Sequence, residues 1–167
     1  RIGQSLIKRC LGFEMKVFVY DPFISKDVIE NLGGIKVDSM EDACKTMDAV
    51  SLHIPLNDKT KNIINYDLLK TMKNNCIIIN AARGGIVNEV DLDKALNEGL
   101  IFGAGLDVFE TEPPEPNNPL LKNDKVFLSP HTAAFTEECM TRMGKETVQN
   151  IIDFFDGKLE KSKIVKL

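Results

Sequence analysis

Short apolar runs alternate with amphipathic stretches along most of the chain, the rhythm of βαβ units. Residues 3–14 predict a helix with Leu6, Ile7, Cys10 and Leu11 on one face. Lys16-Val17-Phe18-Val19-Tyr20 predicts a strand closed by Asp21-Pro22. A short helical piece over 28–32 stops at Gly33-Gly34, and Ile35-Lys36-Val37 reads as a weak edge strand. Ser39-Met40-Glu41-Asp42 forms a capping box that opens a helix to about residue 47. Residues 49–54 predict the next strand, ended by Pro55, and 66–72 a short helix. The unbroken apolar run from Cys76 to Ala81 predicts a strand buried on both faces. Arg83-Gly84-Gly85 is a tight turn, and Asn88 caps a helix that Gly99 stops. Residues 101–108 predict a glycine-rich strand, a composition that marks close approach of another element or a ligand.

The remaining pattern is a loop over 111–123 with four prolines, a last strand over 126–128 and a long helix over 136–155. That helix carries Met140, Met143, Val148, Ile151, Ile152 and Phe155 as its apolar positions. Long loops in compact domains are often functional. A chain of 167 residues can bury about 70% of its unfolded surface. Its 43% hydrophobic and 28% charged content is that of an ordinary globular protein. The net charge of −4 argues against a nucleic-acid surface, which needs clustered Lys and Arg. No apolar run approaches the ~20 residues of a membrane span, and no signal peptide is visible. Cys10, Cys44, Cys76 and Cys139 form no CxxC pair and read as buried thiols in a reducing, cytoplasmic setting. With two histidines in all, no metal site is expected.

The candidate chemistry lies just beyond the apolar runs. Arg83, Glu112 and His131 each follow a predicted strand, and in open parallel sheets ligands bind outside the carboxyl ends of the strands. A guanidinium, a carboxylate and an imidazole there would serve hydride and proton transfer on a 2-oxo acid. Arg1-Ile2-Gly3 reads as the last part of a GxGxxG dinucleotide fingerprint, with Asp21 18 residues after Gly3. A carboxylate at that place accepts hydrogen bonds from a ribose diol and repels a 2′-phosphate, which favours NAD over NADP. Asp21-Pro22 reads equally well as a simple turn. If Gly3 is the third glycine, the first strand of the sheet lies upstream. The strands on either side of it would then expose unpaired backbone, and such a piece would not be stable alone.

Several motifs in order resemble the D-isomer-specific 2-hydroxyacid dehydrogenases. They are Arg1-Ile2-Gly3, Val19-Tyr20-Asp21-Pro22, Ser51-Leu52-His53-Ile54-Pro55-Leu56 and Asn80-Ala81-Ala82-Arg83-Gly84-Gly85, then Gly105-Leu106-Asp107-Val108-Phe109-Glu110-Thr111-Glu112-Pro113 and Ser129-Pro130-His131-Thr132. The resemblance implies an α/β fold with a doubly wound parallel sheet, a Rossmann-like NAD-binding domain. It implies that Arg83 binds the substrate carboxylate, that His131 is the general acid/base and that Glu112 orients it. Arg1 and Ile2 would approach the pyrophosphate and Asp21 the ribose. Ile54, Pro55 and Thr60 would line the adenine side. Ala81 and Ala82 would flank the nicotinamide, and Asp107 would meet its carboxamide.

The chemistry agrees, since Arg matches a carboxylate in bidentate fashion and imidazole exchanges protons near neutrality. His53 reads as structural. The expected organisation is a dinucleotide-binding domain over 1–132 and a long helix and tail over 133–167 that returns toward a substrate domain. The substrate domain is not part of this sequence, so these residues alone are expected to be inactive. The implied activity is NAD-dependent interconversion of a 2-oxo acid and a D-2-hydroxy acid in a homodimer, with Phe109 and the following loop at the subunit contact. The rival reading is an NADH-sensing scaffold of the same family with little turnover.

Overall fold

The computed structural model describes residues 2–164. They fall into two compact units, one ending at Pro130 and the other beginning at His131. In the first unit, α1 (Ile2–Gly12) is followed by β1 (Phe18–Val19), α2 (Lys26–Asn31) and β2 (Ile35–Lys36). Next come α3 (Met40–Cys44), β3 (Ala49–Leu52), α4 (Tyr66–Leu69) and β4 (Ile77–Asn80). α5 (Glu89–Asn97), β5 (Gly103–Leu106), a 3-10 turn at Pro119–Lys122 and β6 (Val126–Leu128) complete it.

All pairings between these strands are parallel, in two sheets: β1-β2 and β3-β4-β5-β6. β1 and β3 each keep an edge without a partner strand among the described residues, as the sequence led us to expect. β1 is only two residues long, against five expected, because its ladder reaches only as far as the short β2.

The helices begin where the polar residues dictate. Ser39 Oγ accepts from Asp42 N at 3.0 Å and Asn88 Oδ1 from Asp91 N at 3.0 Å, satisfying amide donors of the first turns. Gly99 ends α5 at φ 70°, in the left-handed region where glycine carries no Cβ penalty. The core lies between the four-stranded sheet and the segments of α4 and α5. Leu69, Ile78, Leu92, Leu96, Ile101 and Leu120 are fully buried there.

The expectation that the strand from Cys76 is buried on both faces is overturned. Ile78 and Asn80 are buried, whereas Ile77 is 37% and Ile79 is 40% exposed. Side chains alternate along a strand, and α4 and α5 cover one face only. Phe127 is also exposed.

Cys44 and Cys76 are buried in this core, while Cys10 and Cys139 are half-buried. Burial pushes the Cys44 thiol up to about 11 from an ordinary value near 9, and raises Cys76 as well. Because thiolate is the reactive form, iodoacetamide at mildly alkaline pH should label Cys10 and Cys139 well before Cys44 and Cys76. Rapid labelling of all four in the folded protein would contradict this packing. The raised value favours the fold below about pH 9, and that contribution is lost as the pH climbs toward about 11.

The second unit contains α6 (Glu137–Phe155) and a 3-10 turn at Lys161–Lys163. Thr136 caps α6 by accepting from Cys139 N at 3.2 Å, and Gly157 ends it at φ 70°. None of the residues of α6 is buried. No helix among the described residues is long and apolar enough to cross a membrane.

Candidate active site

Strand register brings some of the candidate residues of the first unit to one edge of the four-stranded sheet, whereas Asp21 follows β1 of the two-stranded sheet. Leu52 pairs with Asn80, Asn80 with Leu106, and Leu106 with Leu128. The residues that follow these partners therefore leave the sheet together at its carboxyl edge, where ligands bind in open α/β sheets. They are His53-Ile54-Pro55, Ala81-Ala82-Arg83, Asp107 and Ser129.

Arg83 is held by Asn80, whose role no local pattern announces. Asn80 is 2% exposed; its side-chain carbonyl accepts from Ala82 N at 3.1 Å and its amide donates to Arg83 O at 2.9 Å. Both ends of the Asn80 amide thus clasp the turn that presents Arg83. The exposed guanidinium donates from Nη1 to Ala82 O at 2.6 Å. Gly85 takes φ 77°, which lets the chain turn sharply.

Gly84 has a different reason to be glycine. A Cβ there would lie 1.7 Å from Phe109 O and 2.6 Å from Glu110 N. The Arg83 turn therefore rests on the backbone that leads to Glu112. Glu112 Oε1 accepts from Phe109 N at 3.1 Å, folding the Glu112 side chain back over the same segment.

Glu89, at the start of α5, reinforces that loop. Its carboxylate accepts from Glu110 N and from Asn118 Nδ2, both at 2.6 Å. No local pattern announced Glu89, because its partners lie 21 and 29 residues away. Phe109, expected at a subunit contact, is 7% exposed and buried in its own unit.

Asp107 is 6% exposed, and Ser129 Oγ donates to its carboxylate at 2.6 Å. Its amide donates to Asn80 O at 2.9 Å, so the ends of β4 and β5 are stitched together. Thr60 closes the loop after β3 by donating to Pro55 O at 2.7 Å and accepting from Asn57 N at 2.8 Å. Ile54 is half-buried beside the core, and Ala81 and Ala82 stand at the end of β4. Ile2 opens α1 and is exposed, Gly3 lies against the His53 ring, and Arg1 lies outside the described residues. Asp21 follows β1 by two residues; its Oδ1 accepts from Phe23 N at 2.8 Å.

His131 opens the second unit. Its φ of 55° is left-handed, a region few residues with a Cβ occupy, although His is enriched there. Such backbone tends to cluster at functional sites.

The profile of the D-isomer specific 2-hydroxyacid dehydrogenase, NAD binding domain, matches residues 1–133. The chain belongs to this family. It is 43% identical to the D-3-phosphoglycerate dehydrogenase of Methanocaldococcus jannaschii over 164 residues, 98% of this chain and 31% of that protein. It is 42% identical to the glyoxylate reductase of Thermococcus litoralis over 166 residues, 99% of this chain and 50% of that one. The D-isomer specific 2-hydroxyacid dehydrogenase of Lactobacillus delbrueckii ssp. bulgaricus, solved in its NAD complexed form, superposes with a TM-score of 0.86 at 31% identity. That match covers 99% of this chain and 53% of the solved one. The chain thus spans 30% to 50% of the length of the curated relatives it matches.

The residues of this 2-hydroxyacid dehydrogenase domain fit NAD. A carboxylate has about four acceptor positions, and the intraloop bond from Phe23 uses one at Asp21. The others suit the two hydroxyls of a ribose. Asp107, buried and oriented at the sheet's carboxyl edge, is the acceptor type that a carboxamide N–H requires. Among the described residues no group of three or more His, Cys, Asp or Glu side chains could hold a metal ion.

Proposed function

We propose that the full-length protein interconverts a 2-oxo acid and a D-2-hydroxy acid with NAD. The single observation that carries this reading is the backbone contact of Gly84 on Phe109. It seats the turn bearing Arg83 beside the loop bearing Glu112, at the edge where Asp107 also stands. Bound NADH supplies the hydride. Arg83, always charged and forked, receives the substrate carboxylate. Asp107 takes the carboxamide and Asp21 the ribose diol, with Arg1 and Ile2 at the pyrophosphate. Ile54, Pro55 and Thr60 border the adenine, and Ala81 and Ala82 the nicotinamide. His131 gives a proton to the substrate oxygen in reduction and takes it back in oxidation, and Glu112 keeps the imidazole oriented. The protein is proposed to act in the cytoplasm as a homodimer.

Relatives of this chain include dehydrogenases of D-3-phosphoglycerate and reductases of glyoxylate and hydroxypyruvate. The test follows from those names. The full-length protein is assayed with NADH against phosphohydroxypyruvate, hydroxypyruvate, glyoxylate and pyruvate. Turnover of at least one, with the D product, is expected. NADH binding without turnover of any would replace this reading with that of an NADH-sensing scaffold.

Asp21→Ala is expected to weaken NADH binding about tenfold, as for loss of a hydrogen bond to a charged group. Discrimination against NADPH should relax in the same variant, since the repulsive carboxylate is gone. An unchanged NADH-to-NADPH preference would remove Asp21 from the ribose site.

A further inference from the structure

We propose that Lys36 is a positioning and specificity-determining residue for the adenosine half of NAD, acting by tethering the loop that carries Asp21. The inference rests on the reading that Asp21 takes the ribose diol.

Register brings Lys36 to this loop. Val19, the last residue of β1, pairs with Lys36 on β2, and Val37 N donates to Val19 O at 3.0 Å. The half-buried lysine thus stands beside the point where the chain leaves β1. Its ammonium donates to Ile24 O at 2.5 Å and reaches Asp21 O at 3.4 Å. One cation therefore gathers carbonyls from both ends of the 21–24 loop. Between them, Asp21 Oδ1 accepts from Phe23 N, so the carboxylate orientation depends on the loop shape that Lys36 draws in.

The charge arrangement has a consequence for cofactor choice. A lysine next to a ribose-binding carboxylate would ordinarily offset its repulsion of a 2′-phosphate. Here the ammonium keeps its charge, but two of its three donors go to backbone carbonyls of the loop. Asp21 is left as the group a cofactor meets. Hydrogen bonds from a charged donor are about twice as strong as neutral ones. Holding a long flexible side chain in one geometry costs rotamer freedom, which this pair of contacts offsets. Without the tether, the loop relaxes and Asp21 no longer faces the diol.

The test uses Lys36→Met, Lys36→Gln and Asp21→Ala in the full-length protein. The readouts are the affinities for NADH, NADPH and AMP by titration, and KM for NADH with kcat for the best 2-oxo acid. Lys36→Met is expected to weaken NADH and AMP by the same factor, about tenfold. It should narrow the NADH-to-NADPH preference and raise KM for NADH with little change in kcat. Lys36→Gln keeps an uncharged donor group and should fall between wild type and Lys36→Met. It also serves as the reporter if the methionine variant does not fold.

A loss of kcat without loss of AMP affinity would overturn the proposal, since it would place the effect away from the adenosine half. Unchanged affinities in the Lys36 variants, with weakened binding in Asp21→Ala, would overturn the tether and leave the ribose reading intact. Unchanged affinities in all three would overturn both.

Discussion

Replacing His131 by alanine in the full-length protein is expected to lower 2-oxo acid reduction by about 10²–10⁴-fold, the usual worth of a positioned acid–base group. NADH affinity should stay nearly as it was, because the proposed contacts to the cofactor come from other residues. His131→Asn makes the sharper comparison. Asparagine accepts left-handed backbone about as readily as histidine does, so it retains the φ of 55° seen at this position. It cannot exchange a proton near neutrality. Both variants should therefore lose activity alike. Activity preserved in the asparagine variant alone would mean that the position supplies backbone shape and not a proton. Equal loss of NADH affinity and turnover would also remove His131 from the acid–base role.

Gly84→Ala is expected to damage stability and catalysis together. The added Cβ would sit 1.7 Å from Phe109 O and 2.0 Å from Phe109 C, and both are backbone atoms that cannot swing aside. Forcing an atom into packed structure costs about 1–3 kcal/mol, occasionally more. Here the upper end applies, because neither neighbour is the tip of a flexible side chain. The strain is relieved by moving the Arg83 turn away from the segment that leads to Glu112. Misplacement of a catalytic group by about 1 Å can cost on the order of 10²-fold in rate. Urea unfolding and kcat/KM measured on the same variant would check this. A variant as stable and as active as the parent would show that this turn does not rest on the Phe109 carbonyl.

Much of the molecule is legible in the sequence. Apolar runs over 49–54, 76–81 and 126–128 became β3, β4 and β6, and the caps at Ser39 and Asn88 start helices as read. These signals are local: a strand needs a few apolar or β-branched residues in succession, and a cap needs one short side chain at one place. The family was legible for a similar reason. Its motifs sit at strand ends, and each is contiguous.

Other features were not legible. A run of isoleucines does not say whether a second layer covers it, so the exposure of Ile77 and Ile79 is decided only by the packing. The roles of Asn80, Ser129, Glu89 and Lys36 were also missed. A serine, a glutamate or a lysine in such surroundings carries no pattern until its partner is known, and most of these partners lie 12 to 29 residues away.

From its residues alone, this protein is determined to be a parallel α/β chain with a dinucleotide-binding character and chemistry placed after its strands. Local spacing and side-chain type suffice for that, since both act over one element at a time. Only the tertiary structure decided what holds the chemistry in place. Strand register sets which ends lie side by side, and close approach sets where a glycine is obligatory. Long-range hydrogen bonds then hold Asp107 to Ser129 and the Asp21 loop to Lys36, 22 and 12 residues apart in sequence. Those interactions exist only once distant segments have been brought within about 3 Å, the reach of a hydrogen bond.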